Sequence, residues 1–510
     1  MLKFSVQDRT SLFESGERNA ALAQKSVRGG VAMMMSQGVQ FCLQMAGTVI
    51  LAWLLTPGDY GIIGMVAIVT GFAQIFQDAG LSTATIQKDQ ITHRQISSLF
   101  WINVFVSVIV CACVLASAPV IGWFFGKPEL IPVTAVLSLC FIMNGLSVQH
   151  RSLLQRQLRF GASGTILIAS QLITLLVSIL LAYLGWGYWA LVAGSLAAAI
   201  TSSLAAFILC PWIPGWIRKG TGVRKMLTFG GHITGNNIIN YFSRNADNLL
   251  IGKFIGADAL GLYAKAYSLF MLPISQIRGP MNTVALPVLS ALKDQPERYI
   301  KYYQRFVDIL ASLTIPLMIY CACEADFLIS LLGPQWLEAV PVFRILAIAA
   351  VIQPVYTTAF LVQVSHGYSK QYFIWGCVSA IVFISAFVCG LPYGISGVAA
   401  FYAVANYLLF IPTLLYCFHR TPVTVPLFLR TMLLPLGISL VAAGVSIAVT
   451  WFIESWIVKH VAFICLDAAI IFCAYFFRKS LRETIRLFAA DLGIRFKRTD
   501  SSIKERTVTT

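Results

Sequence analysis

Charge is what this 510-residue chain has least of. Asp, Glu, Lys and Arg together make up 11% of it, and only 21 residues are acidic. A soluble domain carries about 25%. With 58% hydrophobic residues and a mean hydropathy of +0.78, the chain is too apolar to fold in water. The six histidines and twelve cysteines form no CxxC or Cys/His cluster. That excludes a zinc site and a disulfide framework, and it predicts buried unpaired thiols. No metal or cofactor is expected. The GxxxxGK[ST] loop that cradles phosphates is missing, so the chain is not expected to hydrolyse ATP. No polar stretch is long enough to fold a catalytic domain in water.

What is present is a series of apolar runs of 17 or more residues, each sufficient to cross roughly 30 Å of hydrocarbon. They predict about fourteen transmembrane helices in an all-α polytopic membrane protein. Six lie over 29–210, six over 226–417 and two over 426–477, with tails at 1–28 and 478–510. Thirty of the 37 Lys and Arg, counting Arg430 near the start of its span, fall on the tails and the even-to-odd connections, against three (Lys127, Lys253, Lys459) on the opposite connections. By the positive-inside rule, this asymmetry puts both termini in the cytoplasm. Residues 1–28 have no apolar core followed by a small-residue cleavage site, so they read as a cytoplasmic tail rather than a signal peptide. The net charge of +16 is the same inner-face bias. It needs no nucleic-acid partner, and it places the basic tail beyond Phe477 near anionic headgroups.

The chain also repeats itself. LTPGDYGII (55–63) falls opposite IGADALGLY (255–263) at an offset of 200, with Gly30 opposite Gly230 and Gly61 opposite Gly261. Gln37, Gln40 and Gln44 match Asn237, Asn240 and Arg244, and steps of three and four put each set on one helical face. Six helices separate the copies, an even number, so both cross in the same direction. This predicts two six-helix lobes related by an axis along the membrane normal.

The polar residues inside the spans are few and placed deep. The segment 229–254 carries Asn236, Asn237, Asn240, Ser243, Arg244, Asn245, Asp247 and Asn248 between apolar ends. An arginine at a helix centre costs about 2.5–3.5 kcal/mol on insertion scales, so such residues face protein or water. Asp247, three residues beyond Arg244, is a candidate partner on the same face, either as a structural ion pair or within a cavity. Arg278 falls opposite Asp78 in the repeat, and Gly279-Pro280 beside it is expected to break the helix. Broken helix beside deep charge marks a water-lined cavity. The Gln stripe reads equally as interhelical glue. Lys265 and Arg344 lie close enough to an interface to snorkel. Trp53, Tyr60, Trp101, Trp123, Trp186, Trp216 and Trp336 fit an aromatic belt, and Asp59 suits an N-cap. Arg151, Arg156 and Arg159 in HRSLLQRQLRF read as an inner-surface anchor or a first contact for an anionic headgroup.

Three stretches, LAWLLTPGDYGIIGMVAIVTGFAQIFQDAGLSTATIQ (51–87), QRQLRF (155–160) and YFSRNADNLLIGKFIGADALGLYAKAYSL (241–269), carry a resemblance that GPQWLEAVPVFRILA (333–347) continues. Over roughly residues 20–420 the chain resembles polysaccharide-exporting flippases of the multidrug/oligosaccharidyl-lipid/polysaccharide exporter superfamily, in particular the Wzx-type subgroup that includes the colanic acid and succinoglycan exporters. The resemblance implies a bacterial inner-membrane protein that moves an undecaprenyl-diphosphate-linked oligosaccharide to the outer leaflet by alternating access. It implies a central cavity lined from helices 1, 2, 7 and 8, in which Arg244, Arg278 and Lys265 meet phosphate or acidic sugar. Asn237, Asn240, Asn248, Gln37, Gln40 and Gln44 are then expected to read sugar hydroxyls. Asp78 and Asp247 serve as counter-charges or couple transport to H+ or Na+. A polysaccharide polymerase and a chain-length regulator are candidate partners, beside membrane lipids. Three other readings stand against this one. A drug exporter of the same superfamily would favour an acidic cavity, a polymerase would carry a large outer loop with Arg and His, and a scaffold would tolerate loss of the deep charges.

Overall fold

The computed structural model describes residues 20–78, 82, 85–86, 91–216, 241, 245–453 and 455–476. Among these residues there are helices, turns and no strand. Hydrocarbon offers a backbone no hydrogen-bond partner, and a helix satisfies every N–H and C=O within its own segment. Eleven stretches are long and apolar enough to cross a membrane, and the longest, Ser369–Phe418, holds two helices.

The first half contributes α1 (Ala20–Leu54), α2 (Pro57–Asp78), α3 (His93–Phe125), α4 (Leu130–Arg156), α5 (Phe160–Tyr183) and α6 (Tyr188–Leu209). The second begins with α7 (245–254). It continues through α8 (Ala257–Ala291), α9 (Pro296–Cys323), α10 (Ala325–Ser330), α11 (Val340–Tyr356), α12 (Ala359–Ser365), α13 (Ser369–Gly390) and α14 (Gly394–Phe418). Two further helices, α15 (Val425–Thr450) and α16 (Trp456–Phe476), follow. Helix α1 starts well before its apolar span, because AALAQKSVR is made mostly of good helix formers and carries the helix beyond the membrane.

Three local expectations need correction. Asp59 is not the N-cap of α2. Thr56 holds that place: its hydroxyl accepts from the Asp59 N–H (3.3 Å), while the Asp59 carboxylate accepts from the Thr56 N–H (2.9 Å). This is a capping box with Pro57 at the first helical position. Gly279-Pro280 does not break α8, which runs unbroken through Pro273, Pro280 and Pro287. The three prolines are seven residues apart and so share one side of the helix, and Ser275 and Thr283 donate to the carbonyls of Leu272 and Gly279. Side chains of this kind and water let membrane helices tolerate proline. All twelve cysteines are unpaired, but only Cys111, Cys210, Cys321 and Cys417 are buried.

Helices pack mainly within their own half: α3 on α4, α4 on α6 and α5 on α1 and α6, against α9 on α11, α11 on α14 and α13 on α14. The main exception is α2, which packs on α8 and shares the largest hydrophobic core with the second half. Met65 and Val66 of α2 meet Leu260 and Tyr263 of α8 in that core. The crossing is reciprocal. A Cβ on Gly61 would run into the carbonyl oxygen of Ala257, and one on Gly261 would run into that of Pro57. Each member of this contact is exchanged for the other by the offset of 200. Only glycine permits two helix backbones to approach so closely.

A second cross-half contact lies at the same end. The GPQWLEA turn docks on α1, where Gln335 Nε2 and Trp336 Nε1 both donate to the Ala52 carbonyl (2.6 and 2.9 Å). In return, Trp53 Nε1 donates to the Leu331 carbonyl (3.0 Å). Trp336 is fully buried, so it belongs to this junction and not to an aromatic belt. At the edge of the second half, the His460 imidazole and the Glu324 carboxylate hydrogen-bond, which fastens α16 beside α10.

Candidate functional site

The contact between halves continues along one side of α2. Gly58 meets Asp258, Gly64 meets Leu260, and at Gly71 the ring of Tyr241 closes the gap. The Tyr241 hydroxyl donates to the carbonyl of Ile68 (2.7 Å). From Gly58 to Gly71 the seam runs about 20 Å along the helix, at 1.5 Å per residue.

Beyond the seam both helices show a different surface. The exposed positions of α8 past its midpoint include Ser275, Gly279, Thr283 and Ser290 along one stripe. On α2 they are Ala67 and Gln74, in the register that also contains position 78, and Phe76 on another side. Elsewhere, exposed positions are mostly apolar, such as Leu180, Ile208, Ile381, Leu408 and Val441, with Ser195 and Ser385 among the exceptions, and Val284 is an exposed apolar residue of α8 itself. A face turned to hydrocarbon is apolar, whereas exposed Ser, Thr and Gln at membrane depth belong where water reaches. Beyond the glycine crossing near Pro57, the two helices thus carry small and polar side chains at exposed positions.

Arg278 stands next to this stripe, half-buried, with Asn282 one turn further on. Its charge is within electrostatic range of the Tyr356 phenol on α11. Tyr356 donates to Asn406 Oδ1 (3.0 Å), and Gln353 Nε2 donates to the Tyr402 hydroxyl (2.6 Å). These four residues form a polar cluster between α11 and α14. Asp78 ends α2, and its side chain lies outside the described residues.

On α1, Gln37, Gln40 and Gln44 are half-buried. Met35, Val39, Cys42, Ala46, Ile50 and Trp53 form the exposed apolar stripe of the same helix. The two stripes are centred about 150° apart at 3.6 residues per turn. The glutamines therefore lie on the side away from that apolar face. Close packing of α1 on α5 is provided by small residues, with Gly164 against Ser36 and Gly47 against Leu175.

Asn237, Asn240 and Arg244 lie outside the described residues. Asp247 is buried, and its partners are the Tyr263 hydroxyl (3.1 Å) and the Asn248 N–H (2.8 Å). Asn248 is half-buried, with its side-chain oxygen enclosed and unbonded. Lys265 does not snorkel. It is buried where the halves meet, with its ammonium 4.1 Å from the centre of the Tyr60 ring, 5.6 Å from that of Trp336 and 3.4 Å from the Thr48 carbonyl. Two aromatic faces and a carbonyl hold this cation in place of a carboxylate. Arg344 pairs with Asp326 on the surface. Of the basic run on α4, Arg151 turns back to Ser147 (2.6 Å), and Arg156 Nη1 donates to the Thr85 carbonyl (3.0 Å).

Sequence reasoning missed Tyr241, which looks like one more aromatic of a spanning segment, and it missed the Tyr356–Asn406 and Gln353–Tyr402 pairs. Their only signal was polar residues inside apolar runs some fifty positions apart.

A family model described as polysaccharide biosynthesis protein matches residues 50–341. The teichuronic acid biosynthesis protein TuaB of Bacillus subtilis is 27% identical over 358 residues, covering 67% of this chain and 72% of that one. The lipopolysaccharide biosynthesis protein WzxC of Escherichia coli is 22% identical, covering 66% and 69%. Among solved structures, lipid II flippase MurJ in an inward closed conformation superposes with a TM-score of 0.68 at 14% identity, over 91% of this chain and 99% of that one. The fold is thus that of MurJ-like transporters. The candidate spans and these relatives make the protein a multi-pass protein of the bacterial inner membrane. The family model covers more than half of the 510 residues, and the chain belongs to the polysaccharide biosynthesis protein family.

Proposed function

We propose that the protein carries a lipid-linked oligosaccharide, an undecaprenyl-diphosphate-linked repeat unit, from the cytoplasmic to the outer leaflet by alternating access. The observation that carries this reading is the row of exposed Ser, Thr, Gly and Gln on α2 and α8 beyond their glycine crossing, with Arg278 beside it. In this reading the two helices bound a cleft there, sealed at the crossing. The polyprenyl tail is already at home in hydrocarbon, so only the diphosphate and sugars need shelter. A guanidinium meets phosphate oxygens with two parallel hydrogen bonds, and amides meet hydroxyls.

In this reading the chain has fourteen membrane helices, two six-helix lobes and α15–α16, with both termini in the cytoplasm. The Pro57 end then faces outward, and the cleft opens to the side where the cargo is assembled. The reciprocity of Gly61 and Gly261 at an offset of 200 supports the two-lobe arrangement. Arg278 and Arg244 contact diphosphate or acidic sugar. Gln37, Gln40, Gln44, Asn237, Asn240 and Asn248 read hydroxyls, and Asp78 and Asp247 act as counter-charges or in ion coupling. Lys265, enclosed by Tyr60 and Trp336, meets cargo only when the halves part at that end.

The test is translocation of a fluorescent undecaprenyl-diphosphate oligosaccharide in proteoliposomes, followed by quenching of the label on one leaflet. The expected result is transfer in protein-containing vesicles and none in empty ones. Cargo that stays put, while a cationic drug is moved, would replace this reading with that of a drug exporter.

A further inference from the structure

A cavity lies away from α2 and α8. It has a volume of about 460 Å³ and opens between α13 and α14 at the end where α12 turns into α13. Helix α13 packs on α14 and α12, on the flank of the second half. One wall is Trp375 stacked on Tyr416, with ring centres 4.7 Å apart. The Trp375 Nε1 is already engaged, donating to Thr413 (3.0 Å).

At the floor sits Gln363. It is 2% exposed, and its side-chain oxygen is buried with no hydrogen-bond partner. An unpaired amide oxygen so deeply placed costs folding free energy unless a donor in the cavity meets it. The rim carries Gln371, His419 and Arg420, and among the described residues no Asp or Glu lines the cavity. Arg420 is held in a left-handed backbone conformation (φ 65°), and the Tyr368 hydroxyl lies 3.5 Å from its carbonyl. Non-glycine residues keep this conformation where their surroundings require it, often at binding sites.

The same flank continues away from the rim as exposed aliphatic side chains: Leu415, Ile411 and Leu408 on α14, and Ile374 and Val378 on α13. Positive charge and open amides at the rim, an aromatic wall and an apolar strip beyond form the profile of an anionic lipid. We infer that this cavity binds the headgroup of an anionic phospholipid of the surrounding leaflet, with its acyl chains along α13 and α14. Arg420 takes the phosphate, the Gln371 amide donates to a phosphate oxygen, the unpaired Gln363 oxygen accepts from a hydroxyl of the headgroup glycerol, and Trp375 and Tyr416 pack on the glycerol backbone. The site is independent of the cargo cleft, and the proposal stands whether or not the cargo reading holds.

The experiment is native mass spectrometry of the purified full-length protein, released from micelles supplied with equal phosphatidylglycerol and phosphatidylethanolamine. The wild type should retain phosphatidylglycerol preferentially. Arg420→Gln and Gln371→Glu should each lower that retention about fivefold, the loss expected for one basic group beside an anionic headgroup or for an added repulsion of similar size. Arg420→Lys should keep most of it. Arg94→Gln, which removes an exposed charge of the first half, should leave it unchanged. If Arg420→Gln does not fold, Gln371→Glu carries the test alone. Equal retention of both lipids, or undiminished phosphatidylglycerol in both pocket variants, overturns the proposal. So does a competition in which only a polyprenyl diphosphate binds there.

Discussion

Alanine at Gly61 or at Gly261 is expected to reduce export by one to two orders of magnitude while leaving the protein in the membrane at near-normal abundance. Each glycine faces a backbone carbonyl oxygen of the opposite half, of Ala257 in one case and Pro57 in the other. A backbone carbonyl cannot rotate out of the way as a side chain would. A new methyl therefore requires the helices to part by roughly 1–2 Å to restore van der Waals spacing. Overpacking of this kind costs about 1–3 kcal/mol. In a transporter that sum falls on one conformation only, the one in which the seam is closed. It shifts the closed-to-open ratio about 5- to 150-fold. Because both glycines guard one crossing, the double variant should lose much less than the sum of the two single losses. Initial export rates normalised to protein in the membrane fraction would measure this. Two small, additive effects would mean that the crossing is passive packing.

Arg278→Ala has the second large expected effect, a loss of about 10- to 150-fold in transport. That range corresponds to removing a charge-assisted hydrogen bond of about 1.5–3 kcal/mol. Arg278→Lys should fall between the variant and the wild type, since an ammonium supplies the charge without the two-pronged geometry. The readout is the initial rate in the proteoliposome assay beside the thermal unfolding of the same preparation. A wild-type rate in the alanine variant would remove Arg278 from the cargo path. A fall in stability that tracks the loss of transport would make it a strut for the Tyr356 cluster instead.

Some of this arrangement is legible without coordinates because it depends on register. The offset of 200 pairs Gly61 with Gly261, and the structure puts those two residues at one crossing. The Gln37/Gln40/Gln44 stripe follows from helical spacing, and it does lie opposite the exposed apolar stripe of α1. Other features depend on what a residue meets across the fold, which spacing does not encode. Trp336 at the end of an apolar run reads as a belt residue until its indole is seen on the Ala52 carbonyl. Lys265 reads as a snorkelling residue until Tyr60 and Trp336 close around it. Pro280 reads as a break, but in α8 three prolines on one side leave the helix unbroken. Gln363 gives no signal at all, since its importance lies in the empty space beside it.

The central claim is that water and cargo occupy the cleft between α2 and α8. The direct measurement is labelling of single cysteines introduced at Ser275, Gly279 and Thr283 by a membrane-impermeant maleimide, with and without lipid-linked oligosaccharide. Cysteine at Leu408, on the exposed apolar side of α14, serves as the control. The account predicts rapid labelling at the three α8 positions, protection there by the cargo, and little labelling at 408 under either condition. Three unreactive α8 positions, or three that react equally fast with and without cargo, would contradict it.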